Sequence, residues 1–273
     1  MHKKSSTVLP WIADATRRLS AISIPSARLD AELILAHTLN KPRIWLHAHS
    51  ETRLTNHQLR IADARLQLRL EHVPVAYIIG HKEFYGRLFH VTPATLVPRP
   101  ESETIIELLA QLPIPTSSTL LDVGTGSGCL GITAKLQHSS LQVTLSDVSQ
   151  SALAVAQENA TALNADVTIL KSDLLEDIDG AFDVIVANLP YVDRSWDTPP
   201  DLAHEPAQAL FAGDSGLELI KKLITQSIDH CNHEGYLLLE ADPVQHADIL
   251  AFAQGHGYRH TLTRDYTVVM SRM

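Results

Sequence analysis

The stretch Thr119-Leu120-Leu121-Asp122-Val123-Gly124-Thr125-Gly126-Ser127-Gly128 predicts a β-strand that runs directly into a glycine-rich turn. Its first half is an apolar run of strand length, and its second half has a glycine at every other position. Glycine adopts backbone conformations that other residues avoid, so the turn can be tight and a ligand can approach its backbone closely. A helix that begins after such a turn presents free backbone N–H groups to that ligand.

Strand-like and helix-like segments alternate from Glu101 onward. The strand candidates are residues 119–123, 142–146, 167–170, 183–187, 236–240 and 266–270, and helical segments such as 151–163 and 217–228 fall between them. This alternation predicts an α/β fold with a parallel, doubly wound sheet. Ligands bind such sheets beyond the carboxyl ends of the strands, so the polar residues at those ends are the candidate functional residues.

The first 72 residues predict a separate helical domain. Apolar residues recur at helical spacing in three stripes, namely Val8, Ile12, Ala15 and Leu19, then Leu29, Leu33, Ala36 and Leu39, then Leu59, Ala62, Leu66 and Leu70. Residues 73–100 are rich in proline and glycine, and the aromatic segments on either side of Gly86-Arg87 predict a hairpin. We therefore expect a bundle over residues 1–72, a hairpin linker over 73–100 and the alternating domain over 101–273.

Two of the remaining strand ends carry acidic residues. Asp147 ends the second strand, and its carboxylate, which only accepts hydrogen bonds, suits the two hydroxyls of a ribose. A strand-end cap is the alternative for Asp147. Ser172, Asp173 and Leu174 follow the third strand, where the polar pair can meet the edge of an adenine and the leucine can pack on its face. An ordinary turn fits each of these three residues equally well.

Asn188-Leu189-Pro190-Tyr191 follows the fourth strand and suits the task of holding a planar amide or amino group. The nitrogen of such a group is a weak nucleophile because its lone pair is delocalised. Two acceptors must therefore hold its N–H groups while the lone pair faces an electrophile. The Asn188 side-chain oxygen and the backbone carbonyl of residue 189 are the candidate acceptors. Pro190 restricts the backbone, and the Tyr191 ring can cover the planar group; a strand that ends in a proline turn is the alternative.

The glycine turn is compatible with more than one cofactor. Gly126, Gly128 and Gly131 match the pattern G-x-G-x-x-G, and Asp147 follows at a suitable distance, so a nicotinamide or flavin enzyme is a competing interpretation. Asp122, two residues before the first glycine, favours methyl transfer instead. Methyl-transfer enzymes often have an acidic residue there, near the amino group of S-adenosylmethionine.

Composition narrows the function classes further. The chain has 273 residues, 45% of them hydrophobic, and a formal net charge of −9, which argues against a protein that mainly binds a nucleic-acid backbone. No apolar run approaches the roughly 20 residues of a membrane span. The first residues do not resemble a signal peptide, so we expect a cytoplasmic protein. Cys129, Cys231 and the scattered histidines lack metal-ligand spacing, so we expect no metal site.

With these motifs in this order, the chain resembles the release-factor glutamine methyltransferases, the HemK/PrmC family, over nearly its whole length. Besides the glycine turn and the Asn-x-Pro-Tyr segment, the resemblance rests on Asp30-Ala31-Glu32-Leu33, Pro74-Val75-Ala76-Tyr77-Ile78-Ile79-Gly80, Glu83-Phe84-Tyr85-Gly86, Leu96-Val97-Pro98-Arg99-Pro100-Glu101-Ser102-Glu103, Glu205-Pro206 with Ala209-Leu210, and Gly213-Asp214-Ser215-Gly216-Leu217. The family usually has Asn-Pro-Pro-Tyr, and here Leu189 replaces the first proline, which keeps the backbone carbonyl and loses the fixed φ.

The resemblance implies a five-helix N-terminal domain, a hairpin linker and a Rossmann-like, seven-stranded methyltransferase domain. It implies methylation of the glutamine amide in the Gly-Gly-Gln loop of peptide chain release factors, with S-adenosylmethionine as donor. Residues 124–128, Asp122, Asp147 and Asn188 would bind the donor, Asp173 and Leu174 its adenine, and residues 188–191 the glutamine. Phe84 and Tyr191 would exclude water, and residues 1–72 would dock the release factor.

Two other functions remain open from the sequence. The same Asn-x-Pro-Tyr segment would hold the exocyclic amine of a flipped-out adenine, as in a nucleic-acid amino-methyltransferase. A release-factor or ribosome-binding module without catalysis is the other. The acidic balance disfavours the first, and the intact glycine turn with Asp147 and Asn188 disfavours the second.

Overall fold

The structure is a computed structural model that describes residues 6–213 and 215–273. The segment 1–5, which bears on the expectation of no signal peptide, and Asp214, which belongs to the Gly213–Leu217 motif, lie outside the described residues. By backbone contacts the chain divides into two compact units. The first reaches Gly80 and includes Pro199–His204, and the second comprises His81–Thr198 and Glu205–Met273. The predicted boundaries at residues 72 and 100 stay a prediction.

The first unit is helical. Its helices are α1 (Val8–Ser20), α2 (Ala27–Leu39), α3 (Arg43–Ala48), α4 (Asn56–Leu70) and α5 (Val75–Ile79). A capping box starts α4, since the Thr55 hydroxyl accepts from the Gln58 N–H and the Gln58 side chain accepts from the Thr55 N–H. In the described part of the chain this unit therefore has the helices that the resemblance implied.

The second predicted stripe is only partly correct. Leu29 is 41% exposed, and α2 instead buries Ala27, Ala31, Ile34 and Leu35. The physical reason is a buried ion cluster, in which Arg69 Nε donates to Asp30 at 2.7 Å and Arg69 Nη2 lies 2.9 Å from Asp201. The spacing of apolar residues cannot predict that Asp30 faces inward, because its partner Arg69 lies 39 positions away in the sequence. The same cluster attaches the Pro199–His204 segment to the first unit.

The second unit begins with a hairpin of β1 (His81–Phe84) and β2 (Arg87–His90). The predicted hairpin is confirmed, but its turn lies one residue earlier than expected. Tyr85 and Gly86 form the turn, with φ of 50° and 73°. Two successive residues with positive φ are typical of the tight turns whose twist matches that of paired strands.

A seven-stranded sheet forms the body of the second unit. Its strands are β3 (Thr119–Val123), β4 (Gln142–Asp147), β5 (Thr168–Lys171), β6 (Phe182–Ala187), β7 (Cys231–Glu240), β8 (Tyr258–Arg264) and β9 (Thr267–Arg272), in the order β5-β4-β3-β6-β7-β9-β8. The helices of this unit are α6 (Glu103–Leu109), α7 (Cys129–Gln137), α8 (Gln150–Leu163), α9 (Ala207–Leu210), α10 (Glu218–His230) and α11 (His246–Gln254). The strand order reverses at β3, which is the usual ligand position in such a sheet.

The predicted Rossmann-like, seven-stranded domain is confirmed, but its sheet is mixed rather than parallel throughout. Strands β3 to β7 pair in parallel, whereas β9 is antiparallel to both β7 and β8. Only residues 265 and 266 separate β8 from β9, and so short a connection permits only antiparallel pairing. Strand β8 was not predicted because most of its residues are exposed or half-buried and carry no apolar run. None of the described helices is long and apolar enough to cross a membrane.

Candidate active site

The predicted strand ends converge on one crevice of about 360 Å³, within the usual range for a small-ligand site. Each of the four strand ends contributes to its lining: Gly124, Thr125, Gly126 and Ser127 after β3; Asp147, Val148 and Ser149 after β4; Ser172, Asp173 and Leu174 after β5; and Asn188, Leu189 and Pro190 after β6. The register explains the convergence, because Val123 pairs with Ser146 on one side and with Ala187 on the other.

The glycine turn requires its first glycine for two reasons. Gly124 has a φ of 69°, and a Cβ added there would lie 2.9 Å from Leu189 Cδ2. A side chain at 124 would therefore require the Leu189 side chain, which follows β6, to move. Gly128, the N-cap of α7 with a φ of 81°, ends the turn and does not line the crevice.

Asp122 lies beneath the glycine turn and not in the crevice. It is 1% exposed, and its Oδ2 accepts from the Thr125 hydroxyl at 2.6 Å and from the Gly131 N–H at 2.9 Å. Burial raises the pKa of Asp122 to about 6, against the opposing effect of those two hydrogen bonds. Asp122 therefore shapes the turn from below, and its contact with the donor amino group stays a prediction.

Asp147 is both a strand-end cap and a crevice residue. Its Oδ2 accepts from the Gly126 N–H at 2.9 Å and its Oδ1 accepts from the Ser149 N–H at 2.8 Å. Burial raises the pKa of Asp147 although these bonds favour the charged form. A carboxylate has about four acceptor positions, so each oxygen retains one for a ligand hydroxyl.

Leu174 lines the crevice in a backbone conformation that is rare for leucine. Its φ is 53°, and its side chain is buried. Left-handed backbone at a non-glycine residue costs energy and concentrates at functional sites, which supports the interpretation of Leu174 as a packing surface for a ligand. Asp173, beside it, lines the crevice with an exposed side chain whose Oδ2 lies 3.4 Å from Lys222 Nζ.

Asn188 lines the crevice, and its side-chain amide is hydrogen-bonded to a buried residue. Its Nδ2 donates to the Ser102 hydroxyl at 3.0 Å, and Ser102 is buried just before α6. In the part of the chain that the structure describes, no protein donor bonds to Asn188 Oδ1. The acceptor oxygen that the sequence predicted for a substrate amide is thus available.

Tyr191 is half-buried, and its hydroxyl contacts the end of β7. Its hydroxyl donates to Glu240 Oε1 at 3.3 Å, and its backbone carbonyl accepts from Gln245 Nε2 at 2.9 Å. Burial, with the Glu240 carboxylate nearby, raises the pKa of Tyr191. Tyr191 is not among the residues that line the crevice, and its role of covering the substrate stays a prediction.

Phe84 also lies elsewhere than expected. It is 1% exposed and packs edge-to-face on Phe89, with ring centroids 6.1 Å apart, in the hydrophobic core of the second unit. It does not line the crevice in this structure, and a substrate contact of Phe84 stays a prediction. An aromatic residue beside a turn looks the same in sequence whether it faces a ligand or a core.

Sequence reasoning missed the residues that support the Asn188–Tyr191 segment. Glu240 ends β7 and Ser102 belongs to the Pro-Arg-Pro-Glu-Ser stretch, and both are buried. Glu205, also buried, accepts from the Val97 N–H at 2.9 Å and pairs with Arg99, which lines the crevice. The available signal was a carboxylate at the end of an otherwise apolar strand, as in Leu237-Leu238-Leu239-Glu240.

Two family descriptions and several known proteins match this chain. Residues 10–80 match the family described as the PrmC N-terminal domain, and residues 102–213 match the methyltransferase small domain. The chain is 41% identical over 243 residues to the release factor glutamine methyltransferase of Koribacter versatilis, with 84% of this chain and 86% of the relative covered. It is 36% identical over 267 residues to the protein of the same name from Escherichia coli, with 94% of each covered.

A solved structure supports the fold alone. A 16S rRNA methyltransferase from T. thermophilus, in complex with AdoMet and guanosine, superposes with a TM-score of 0.54 at 16% sequence identity. The match covers 70% of this chain and 49% of that one. At this identity the likeness extends to the arrangement of the sheet and helices.

Proposed function

The chain belongs to the family of release factor glutamine methyltransferases, and we propose that it transfers a methyl group from S-adenosylmethionine to the glutamine amide in the Gly-Gly-Gln motif of release factors. The observation that carries this proposal is the position of Asn188 at the crevice, next to the glycine turn, with its amide nitrogen bonded to Ser102. Its side-chain oxygen is thereby left to accept an N–H from a substrate.

The crevice residues fit S-adenosylmethionine. The glycine turn leaves room at Gly126, where a Cβ would have no neighbour within 4 Å, so a ligand can lie against the backbone. Asp147 retains acceptor positions for ribose hydroxyls, and the buried Leu174 offers an apolar surface for adenine. The Ser127 hydroxyl is buried without a partner among the described residues, which suits a polar ligand group. The donor would supply an electrophilic methyl group on its sulfonium.

The residues after β6 would orient the nucleophile. Asn188 Oδ1 accepts one N–H of the glutamine amide, and the backbone carbonyl of Leu189 accepts the other. The amide nitrogen then forms a bond to the methyl carbon as the methyl–sulfur bond breaks, and the nitrogen loses one proton. Orientation of two reactants can contribute about 7–11 kcal/mol to lowering a barrier, so this chemistry needs no covalent enzyme intermediate.

We also propose that residues 1–72 dock the release factor. The first unit has exposed apolar side chains, of which Ile44 is 73% exposed and Leu9 51% exposed. Apolar residues in contact with solvent suit a protein partner when they cluster on one surface. A docking role predicts a lower KM for an intact release factor than for a short Gly-Gly-Gln peptide, with similar turnover numbers.

Mass spectrometry of a release factor incubated with this protein and S-adenosylmethionine tests the proposed function. We expect a gain of one methyl group on the glutamine of the Gly-Gly-Gln motif, located by fragmentation. A release factor with asparagine in place of that glutamine is the matched control and should gain none. A methyl group on any other residue, or none on the natural factor, would contradict the proposal.

Asp147→Ala is expected to weaken binding of S-adenosylmethionine about tenfold to a hundredfold, because hydrogen bonds to a charged group contribute about 1.5–3 kcal/mol. The variant also loses the caps on Gly126 and Ser149, so its free energy of unfolding should fall by about 1 kcal/mol. Titration calorimetry and urea unfolding measure the two effects separately. An unchanged affinity would mean that Asp147 is a strand-end cap and nothing more.

Leu189→Pro is expected to keep the turnover number within about tenfold of the natural protein, or 1.4 kcal/mol of barrier, because the required backbone carbonyl remains. The buried Leu189 side chain packs in the core of the second unit, so the substitution should destabilise the fold by at least about 1 kcal/mol. Leu189→Ala is the matched control, since it loses the same packing without fixing φ. A turnover loss above tenfold with proline but not with alanine would contradict the carbonyl-only role.

A further inference from the structure

A buried carboxylate lies behind the segment that holds the substrate amide. Glu240 is the last residue of β7, which pairs with β6 so that Leu239 lies opposite Ala187, directly before Asn188. It is 2% exposed. Its Oε1 accepts from the Tyr191 hydroxyl. Its Oε2 is buried, and no donor among the described residues lies within hydrogen-bond geometry of it. None of the steps described so far uses this group.

An ionised Glu240 would favour one orientation of the Asn188 amide. An ionised carboxylate only accepts hydrogen bonds, so a neighbouring amide turns its NH₂ edge, and not its oxygen, toward it. The effect reaches Asn188 directly and through Ser102, because both side chains act on the Glu240 carboxylate and the Ser102 hydroxyl oxygen accepts from Asn188 Nδ2 at 3.0 Å. The amide is planar, so an NH₂ group directed at Ser102 leaves Oδ1 on the opposite side.

We propose that Glu240, acting through Ser102, is a positioning residue that holds the Asn188 amide with its oxygen toward the crevice. The proposal rests on the proposed function and deepens it by assigning the group that sets the orientation of the catalytic acceptor. Without that constraint the amide is free to turn by 180° and present its NH₂ group to the substrate. Two NH₂ groups would then face each other, and neither substrate N–H would be held by Asn188.

The environment of Glu240 makes this orientation depend on pH. Burial, followed by the Glu101 carboxylate, raises the pKa of Glu240 to about 7, although hydrogen bonding with its polar neighbours favours the charged form. The titratable groups that act on Glu240 or on its partner Tyr191 are acidic or neutral: Glu101, Cys129, Asp242 and Tyr266. Below about pH 7 the carboxyl gains a hydrogen that it can donate, and the preference for the NH₂ edge of Asn188 is lost.

Steady-state kinetics of Glu240→Gln and Ser102→Ala from pH 5.5 to 9 test the proposal, with Ser227→Ala as the matched control. Ser227 is a buried serine that hydrogen-bonds to Tyr258, outside the crevice lining. For Glu240→Gln we expect a turnover number at least about tenfold lower, the loss of the acidic limb near pH 7, and KM and donor affinity within about threefold. Ser102→Ala should lower the turnover number in the same direction, and Ser227→Ala should retain the natural pH profile.

The outcomes separate this inference from the proposed function. Suppose that the natural protein methylates the glutamine and that both variants keep the natural turnover number and the natural acidic limb. The positioning role of Glu240 is then wrong, and the proposed function is still supported. If the natural protein methylates no glutamine, both fall. Thermal unfolding of each variant identifies a general loss of fold, and if Glu240→Gln unfolds, Ser102→Ala and the profile of the natural protein decide. A natural profile without a limb near pH 7 would overturn the proposal.

Discussion

Asn188→Ala is expected to lower the turnover number about a hundredfold or more while the affinity for S-adenosylmethionine changes little. The variant removes the only side-chain acceptor that the proposed mechanism offers to the substrate amide, and losing one preorganised hydrogen bond in comparable sites costs about 10²–10³ in rate. The glycine turn and Asp147, which would hold the donor, keep their own hydrogen bonds. Single-turnover kinetics with a Gly-Gly-Gln peptide measure the rate, and titration calorimetry measures the affinity.

Asn232→Ala is the matched control for this prediction. Asn232 also donates through its side-chain amide, to Asp183 Oδ1 at 2.8 Å, but Asp183 lies at the opposite end of β6 from Asn188. The control therefore removes another asparagine side-chain hydrogen bond, from β7 to β6, without touching the crevice. Near-normal methylation by Asn188→Ala, or an equal loss in both variants, would remove the catalytic role from Asn188.

The strand ends were predictable because each signal is local. An apolar run followed by a glycine turn or by a polar residue identifies a strand and the residue at its carboxyl end, as at Gly124 and Asn188. Parallel pairing then places the carboxyl ends of these strands on the same side of the sheet, whatever chain segments connect the strands. Strand β8 was not predicted because most of its residues are exposed or half-buried, and the antiparallel direction of β9 depends on a two-residue connection.

Side-chain direction was not predictable at the same sites. Asp122, Tyr191 and Phe84 have the residue types and positions expected of ligand contacts, yet Asp122 faces the loop, Tyr191 faces Glu240 and Phe84 faces the core. Each orientation is decided by a partner far away in sequence, such as Glu240, which follows Tyr191 by 49 positions. A partner of this kind has no local signature, so sequence motifs locate the site better than they assign roles within it.

Gly216→Ala is expected to lower both stability and turnover, because Gly216 supports the substrate-holding segment from below. A Cβ added at Gly216 would lie 2.2 Å from the carbonyl oxygen of Tyr191 and 3.0 Å from Gln245 Nε2, which donates to that carbonyl. Gly216 also has a φ of 74°, where a side chain costs about 1–2 kcal/mol. The nearest obstacle is backbone and not a flexible side chain, so the segment containing Asn188 and Tyr191 must shift.

Gly180→Ala separates the two effects of Gly216→Ala. Gly180 has a φ of 84°, but a Cβ there would meet no atom within 4 Å, so its substitution carries the cost of positive φ alone. Both variants should lose about 1–2 kcal/mol in urea unfolding from the backbone conformation, and Gly216→Ala should lose more. Only Gly216→Ala should lower the turnover number, on the order of tenfold to a hundredfold, since a displacement of about 1 Å at reacting groups has effects of that size. Equal turnover in the two variants would mean that the Asn188–Tyr191 segment tolerates displacement, and the rigid orientation on which the proposed chemistry depends would then not be required.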